Sequence, residues 1–389
     1  MSDFEPARRL RGIQKSMIRQ VFDRARPGSI NLGLGEPDLP TPQVIRAEAV
    51  RAIGEEQNGY TSHAGLPLLR ERVAADYART RIGATPGRVI ITAGSQEALY
   101  LALMTLVDEG DEVLLPDPGF VAYPTIVRMA GGVPVFYRMP AAREFDFDAA
   151  EFRRALSPRT KVVVAISPSN PTGRTLSHED LAAMADALRG TNAYVVSDEI
   201  YRELYYGDER PRSISEHFER TLVIGGLSKS MSMTGWRLGW LCGGDEAVIR
   251  SALVLHGYVT TCASTVSQKA ALAAWTEEAE TARGAARATF RKRRDYLLEL
   301  LAEDLGLRAV APDGAFYTMV DVSRFGTSMG VAETLLEAGV ITVPGAAFGA
   351  EGEGYLRLSF CADEATLAEG VRRMTETLKK SPESEVQES

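Results

Sequence analysis

Four polar segments stand at the ends of apolar runs. Asn170 follows VVVAI in SPSNPTG, Asp198 follows AYVV in SDEIY, and Lys229 follows TLVI in GLSKSMSMTGWRLG, with Arg237 eight residues further on. Gly94, Ser95 and Gln96 follow VIITA and open a helical pattern. An amide, a carboxylate, an amine and a guanidinium at strand ends are placed where open α/β sheets bind ligands, outside the carboxyl ends of the strands. Taken singly, each has an ordinary explanation. Asn170 reads as a turn residue, Asp198 as a helix cap, Lys229 as a surface lysine, Arg237 as an ion-pair partner, and Gly94 to Gln96 as a plain turn. Their joint occurrence, in this order, carries more weight than any one of them.

The elements that must position these groups are legible as alternation. RVIITAG reads as a buried strand, followed by a helix from Gln96 to Leu106; DEVLLPDPG, KVVVAI, AYVVSDEIY and TLVIGGLSK read as further strands, with a helix from His178 to Leu188 between two of them. Continuous apolar strands alternating with helices predict a mostly parallel sheet covered on both faces, an α/β unit over residues 45–280. A long charged helix from Ala279 to about Leu305 follows, and then FYTMVDV and GYLRLSF alternate like half-buried strands of a smaller α+β unit, residues 281–380. Residues 1–44 hold a helix (SMIRQVFDRA) and the loop LGLGEPDLPTP, expected to pack with the smaller unit. The polar tail 381–389 is expected to fray. The sequence contains neither an internal repeat nor a Pro/Gly/Ser-rich linker, so a broad interface between the units is expected.

Composition narrows the classes. The chain has 389 residues, 45% hydrophobic and 25% charged, ordinary globular values. A net charge of −8 argues against a nucleic-acid binder. The basic run Arg291 to Arg294 reads as a solvated helix face. Cys242, Cys262 and Cys361 form no CxxC, so neither a disulfide framework nor a cysteine-rich zinc site is expected. His63, His178, His217 and His256 are dispersed, without metal-ligand spacing. Gly33 and Gly35 begin a GxGxxG pattern, but Asp38 occupies the third glycine's place and Pro37 and Pro40 stand where a helix should start. No P-loop, HExxH or GxSxG is present. The opening residues lack a signal-peptide core, and no apolar run reaches the length of a membrane span. A cytoplasmic location without membrane or nucleic-acid partners is the expectation.

From LGLGEPD to YLRLSF the chain resembles the class I aminotransferases of the aspartate aminotransferase superfamily. These use pyridoxal phosphate (PLP) on fold type I. The segment Gly226 to Gly239 matches their PLP-attachment motif, and SPSNPTG, SDEIY and TAGSQEAL add to the match. The resemblance makes Lys229 the Schiff-base lysine and, once released by substrate, the base that moves the Cα proton. Asp198 is the carboxylate that keeps the pyridine nitrogen protonated. Asn170 and Tyr201 bond the phenolic oxygen, and Phe120 stacks on the ring. Backbone N–H groups of Gly94, Ser95 and Gln96 at a helix N-terminus, with Ser228 and Arg237, hold the phosphate. Tyr60 reaches the phosphate of a neighbouring subunit, which implies a homodimer. Arg357 in YLRLSF binds the substrate α-carboxylate, with Gly35 and Asn170 beside it. Many relatives carry Ser where this chain has Gly226, which puts one phosphate contact in question.

For the substrate side chain the resemblance gives a direction. Dicarboxylate specialists in this branch tend to carry Lys where this chain has Ser95, and KSMIRQVF is similar to relatives acting on neutral or aromatic amino acids. The expectation is a broad or aromatic-leaning aminotransferase using a 2-oxo acid acceptor. Aspartate aminotransferase is the runner-up. A PLP lyase or synthase on the same fold remains open, because the same Lys, Asp and Arg serve it. A PLP-sensing DNA-binding regulator is disfavoured by the absence of a helix-turn-helix pattern in the first 44 residues.

Overall fold

A computed structural model describes residues 4–55 and 58–380, and the tail 381–389 lies outside the described residues. A short helix, Met17–Asp23, and a two-residue strand, β1 (Ile30–Asn31), come first. The central sheet is built from β2 (Val89–Thr92), β3 (Glu112–Asp117), β4 (Val133–Arg138), β5 (Thr160–Ile166), β6 (Tyr194–Asp198), β7 (Thr221–Gly226) and β8 (Gly239–Gly243). These seven strands lie in the order β2-β8-β7-β6-β5-β3-β4. All run parallel except β8, which is antiparallel to both neighbours. The inner strands are apolar along their middles, with polar residues at their ends, because helices cover both faces.

The helices follow from local chemistry. Ser177 and Asp180 form a capping box that starts the helix His178–Leu188. The helix Ser95–Leu106 buries Ala98, Leu99, Ala102 and Leu106 against the sheet. The long helix Glu277–Leu305 begins with a Thr276 cap and three acidic residues, which suit the positive end of its dipole, and stops at Gly306 with φ 59°. Its buried stripe, Phe290, Arg293, Leu297, Leu301 and Leu305, keeps the helical period.

Beyond that helix, β9 (Tyr317–Asp321), β10 (Val340–Ile341), β11 (Val343–Pro344) and β12 (Tyr355–Ser359) follow. β11, β12 and β9 form an antiparallel sheet, and β10 pairs in parallel with β1. The N-terminal segment is thereby stitched to the C-terminal part: Leu32 N–H donates to Ile341 O at 2.9 Å, and Ser359 N–H donates to Leu32 O at 2.7 Å.

Two strands of the central sheet escaped the sequence pattern, as did the two-residue strands β1, β10 and β11. β4 is an edge strand carrying Pro134 and several exposed residues. β8, GWLCG, has a glycine at each end and no readable alternation. The basic run also differs from its expectation. Lys292 pairs with Glu364 at 2.8 Å, whereas Arg293 is buried and binds Asp38 through two bonds of 2.6 and 2.9 Å. Arg293 therefore fixes the N-terminal loop to the long helix instead of facing solvent.

Candidate active site

A cavity of about 290 Å³ opens at the carboxyl ends of β2, β3, β5, β6 and β7. The sheet topology explains the placement, since every parallel strand delivers its following loop to the same edge. Gly35, Ser95, Gln96, Phe120 and Asn170 line it, as do Asp198, Tyr201, Ser228, Lys229, Arg237 and Arg357. Residues separated by more than 300 positions in the chain thus meet at one place. Tyr60 does not join them; it stands 87% exposed on the surface.

Lys229 follows β7, and its Nζ donates to Gly35 O at 2.7 Å. The amine lies 5.8 Å from the ring centre of Tyr201 and 5.7 Å from that of Phe316. Burial pulls the ammonium pKa below its ordinary value, which favours the neutral, nucleophilic form. Asp198 ends β6. It accepts from Tyr123 Oη at 2.9 Å and from Ile200 N–H at 3.2 Å. Burial outweighs these two bonds and raises its carboxyl pKa to about 6. A cationic donor brought against it would restore the ionised form.

Arg357 on β12 is 3% exposed, which removes the reading of it as an exposed strand arginine. Its Nη1 donates to Asn170 Oδ1 at 2.8 Å and its Nη2 to Gly33 O at 2.5 Å. The guanidinium is sandwiched between Tyr317 and Phe348, at 4.3 and 4.8 Å from the ring centres. Its Nε is buried without a hydrogen-bond partner. A cation packed between aromatic faces, without a carboxylate, is prepared for an anionic ligand.

Sequence reasoning missed Tyr317 and Phe348. Tyr317 Oη bonds Tyr201 Oη at 3.0 Å and presses so close to Gly35 that a Cβ there would lie 1.6 Å from it. Only glycine fits at position 35. The sole sequence signal for Tyr317 was an aromatic residue at the start of a strand.

The other end of the cavity suits an anion. Ser95 and Gln96 open a helix, where backbone N–H groups precede the first intrahelical bonds. The Gly94 N–H was expected to join them but is spent inside the protein, donating to Thr92 O at 2.8 Å. Gly94 has another use. Its φ is +89°, and a Cβ there would sit 2.3 Å from Arg237 Nη2, so glycine lets the guanidinium approach. Arg237 is held by Nη1 donating to Thr234 O at 2.8 Å. Gly226 is not on the cavity wall, and a Cβ there would abut Ile200 and Leu238 O.

No group of three or more potential metal ligands is found among the described residues. The chemistry of the walls instead fits PLP: a nucleophilic amine, a buried carboxylate, amide and phenol groups, and a helix N-terminus beside a guanidinium.

Comparison with known proteins agrees. Residues 27–374 match the family model described as aminotransferase class I and II. The chain is 42% identical to a probable N-acetyl-LL-diaminopimelate aminotransferase of Bacillus subtilis, covering 89% of this chain and 88% of the relative. It is 40% identical to the aspartate/prephenate aminotransferase of Thermus thermophilus, covering 90% and 91%. The solved aspartate aminotransferase of Thermus thermophilus with maleate superimposes with a TM-score of 0.91 at 37% identity, over 96% of this chain and 100% of that one. With the sheet, the cavity and these likenesses in agreement, the chain belongs to the class I and II aminotransferases, fold type I enzymes of amino-group transfer whose family implies PLP as cofactor.

Proposed function

We propose that the protein moves the amino group of neutral and aromatic L-amino acids, over a broad range, to a 2-oxo acid such as 2-oxoglutarate, with PLP attached at Lys229. The observation that carries the substrate class is the inventory of charge on the cavity wall. Lys229, Arg237 and Arg357 are its cationic side chains. In this reading they serve the cofactor aldehyde, the phosphate and the substrate α-carboxylate. Among the described lining residues no cation is left for a second carboxylate, whereas Ile18, Leu34 and Ile166 offer apolar surface.

PLP, when bound, supplies a ring that accepts the electrons of the broken Cα–H bond. The chain's own residues do the rest. Ser95 and Gln96 N–H, Ser228 and Arg237 hold the phosphate. Asp198, steadied by Tyr123, keeps a proton on the pyridine nitrogen. Asn170, whose Oδ1 is occupied by Arg357, turns its amide donor to the phenolic oxygen, with Tyr201 beside it. Phe120 covers the ring. Arg357 and the Gly35 loop orient the substrate carboxylate. Lys229 Nζ, free once substrate has taken its place, moves the Cα proton. A flexible amine would suit this transfer, because the proton that leaves the substrate Cα would be delivered to the carbon of the cofactor's former aldehyde, within reach of one side chain.

The same reading makes the protein a cytoplasmic homodimer with Tyr60 reaching the partner's phosphate site. Its exposed position supports this, together with Tyr258 at 90% exposure. Residues 45–280 form the PLP-binding unit and 281–380 the smaller one, with 1–44 packed against the latter; the long helix beginning at Glu277 spans their junction. Light scattering that returned a monomer would dispose of the dimer.

The test of function is the visible spectrum of the purified protein with single amino acids and no 2-oxo acid. A visible band that bleaches faster with phenylalanine, methionine or alanine than with aspartate supports the proposal. Fastest bleaching with aspartate transfers it to the runner-up, which the name of the Thermus relative favours. A persistent band with release of ammonia points to lyase chemistry.

A further inference from the structure

Glu97 lies one residue beyond the expected phosphate-binding turn, in the first turn of the helix Ser95–Leu106, and does not line the cavity. A carboxylate so near the seat of a phosphate dianion is electrostatically adverse unless it does something there. Its side chain is 8% exposed and fully engaged. Oε2 accepts the Ala93 N–H at 2.5 Å. Oε1 accepts from His256 Nδ1 at 3.0 Å and from Thr260 Oγ1. Burial opposes its charge, but the bonds from His256, Thr260 and Ala93 prevail and hold the carboxyl below its ordinary pKa.

The turn itself is pinned on either side of that contact. Gly94 N–H donates to Thr92 O, and Thr92 Oγ1 donates to Gly94 O at 2.9 Å. The Ala93 peptide is therefore the link between β2 and the N–H groups of Ser95 and Gln96. His256 is fully buried at the carboxyl end of the helix Glu246–Val259, and Thr260 caps that end. The two helices pack on each other, so the second one supplies the anchor.

We infer that Glu97 is a positioning residue for the phosphate end of the cofactor: by gripping the Ala93 N–H from an anchorage on His256 and Thr260, it sets the direction in which the Ser95 and Gln96 N–H groups point. Glu97 touches no part of the ligand, and the inference rests on the PLP reading above.

The competing role is simple helix capping, in which Glu97 stabilises the fold and nothing more. Pyridoxal, which lacks the phosphate, separates the two. Titrating cofactor-free Glu97→Gln with PLP and with pyridoxal, followed by the visible band, is expected to weaken PLP about tenfold, the scale of one charge-assisted hydrogen bond. Pyridoxal affinity stays near the parent's, while the cofactor-free protein unfolds at a somewhat lower temperature because bonds to the buried carboxylate are lost. Thr260→Val, which removes one donor to Oε1, is expected to give a smaller effect in the same direction, about threefold. It carries the test if Glu97→Gln does not fold. Equal weakening of PLP and pyridoxal, or no weakening of either, overturns the role of Glu97 while leaving the cofactor assignment intact. A parent protein that shows no band with PLP overturns both.

Discussion

The two faces of the sheet beside β6 hold charge in opposite ways. In front, Asp198, Lys229, Arg237 and Arg357 share one cavity, and none of the four takes part in an ion pair among the described residues. Each is steadied by neutral groups instead. On the other side, the next residue, Glu199, lines a second polar cavity in which most of the charges are matched and Arg287 lies over the Tyr205 ring. Glu199 pairs with Arg202 at 3.1 Å and accepts from Tyr77 Oη at 2.9 Å; Arg210 pairs with Glu203 at 3.1 Å; Arg283 pairs with Glu280. The rear charges answer one another and serve the fold. The front charges are left for a ligand to answer.

Four substitutions test this division. Lys229→Ala should have the largest effect, a fall in turnover of more than about 1,000-fold with loss of the visible band, because covalent attachment and proton transfer go together. Substantial remaining turnover would reassign the lysine. Asp198→Asn should lower kcat by roughly 100-fold or more, the usual scale for one preorganised electrostatic partner. It should also stabilise the cofactor-free protein. The folded carboxyl, with a pKa of about 6 against an ordinary 3.8, keeps a proton that the unfolded chain releases. Stability is therefore lost as pH rises through that interval. Denaturant unfolding should find the variant ahead by of order 2 kcal/mol near pH 8, an advantage gone by about pH 4.

Arg357→Ala should raise KM for every amino acid by about tenfold or more, since its two-pronged charged contact contributes about 1.5–3 kcal/mol. An unchanged KM would make Arg357 structural. Glu199→Gln should have the smallest effect on catalysis, within about threefold in kcat/KM, while lowering stability by roughly 3 kcal/mol through the broken buried pair. A loss of activity matching that of Asp198→Asn in a folded protein would erase the distinction between the faces.

How much of this was readable depended on the kind of signal. Lys229, Asp198 and Asn170 could be found because strand ends are marked by a change from apolar to polar residues, and because the motif around Lys229 is specific. Arg357 was found through resemblance alone; alternation fitted an exposed face equally well, and only packing put it between two rings. Tyr123, Tyr317, Phe348 and Glu97 were not found. Tyr123, Tyr317 and Glu97 act through partners distant in sequence, 75 residues for Tyr123 and Asp198 and 159 for Glu97 and His256, while Phe348 meets Arg357 across a loop. Local pattern carries no trace of such pairings. β8 was missed for a different reason: it runs against its neighbours immediately after the motif, and its glycines erase the period by which a strand is recognised.

The stitch between the two ends of the chain bears on how the enzyme is made. Gly33 O receives Arg357 Nη2 across 324 residues, and Leu32 is hydrogen-bonded to both Ile341 and Ser359. A ribosome delivers the first of these partners long before the last. The central sheet can form as its strands emerge, but the proposed substrate-carboxylate seat has no counterpart until translation has nearly finished. Nascent chains should therefore acquire a folded sheet well before they acquire a binding pocket.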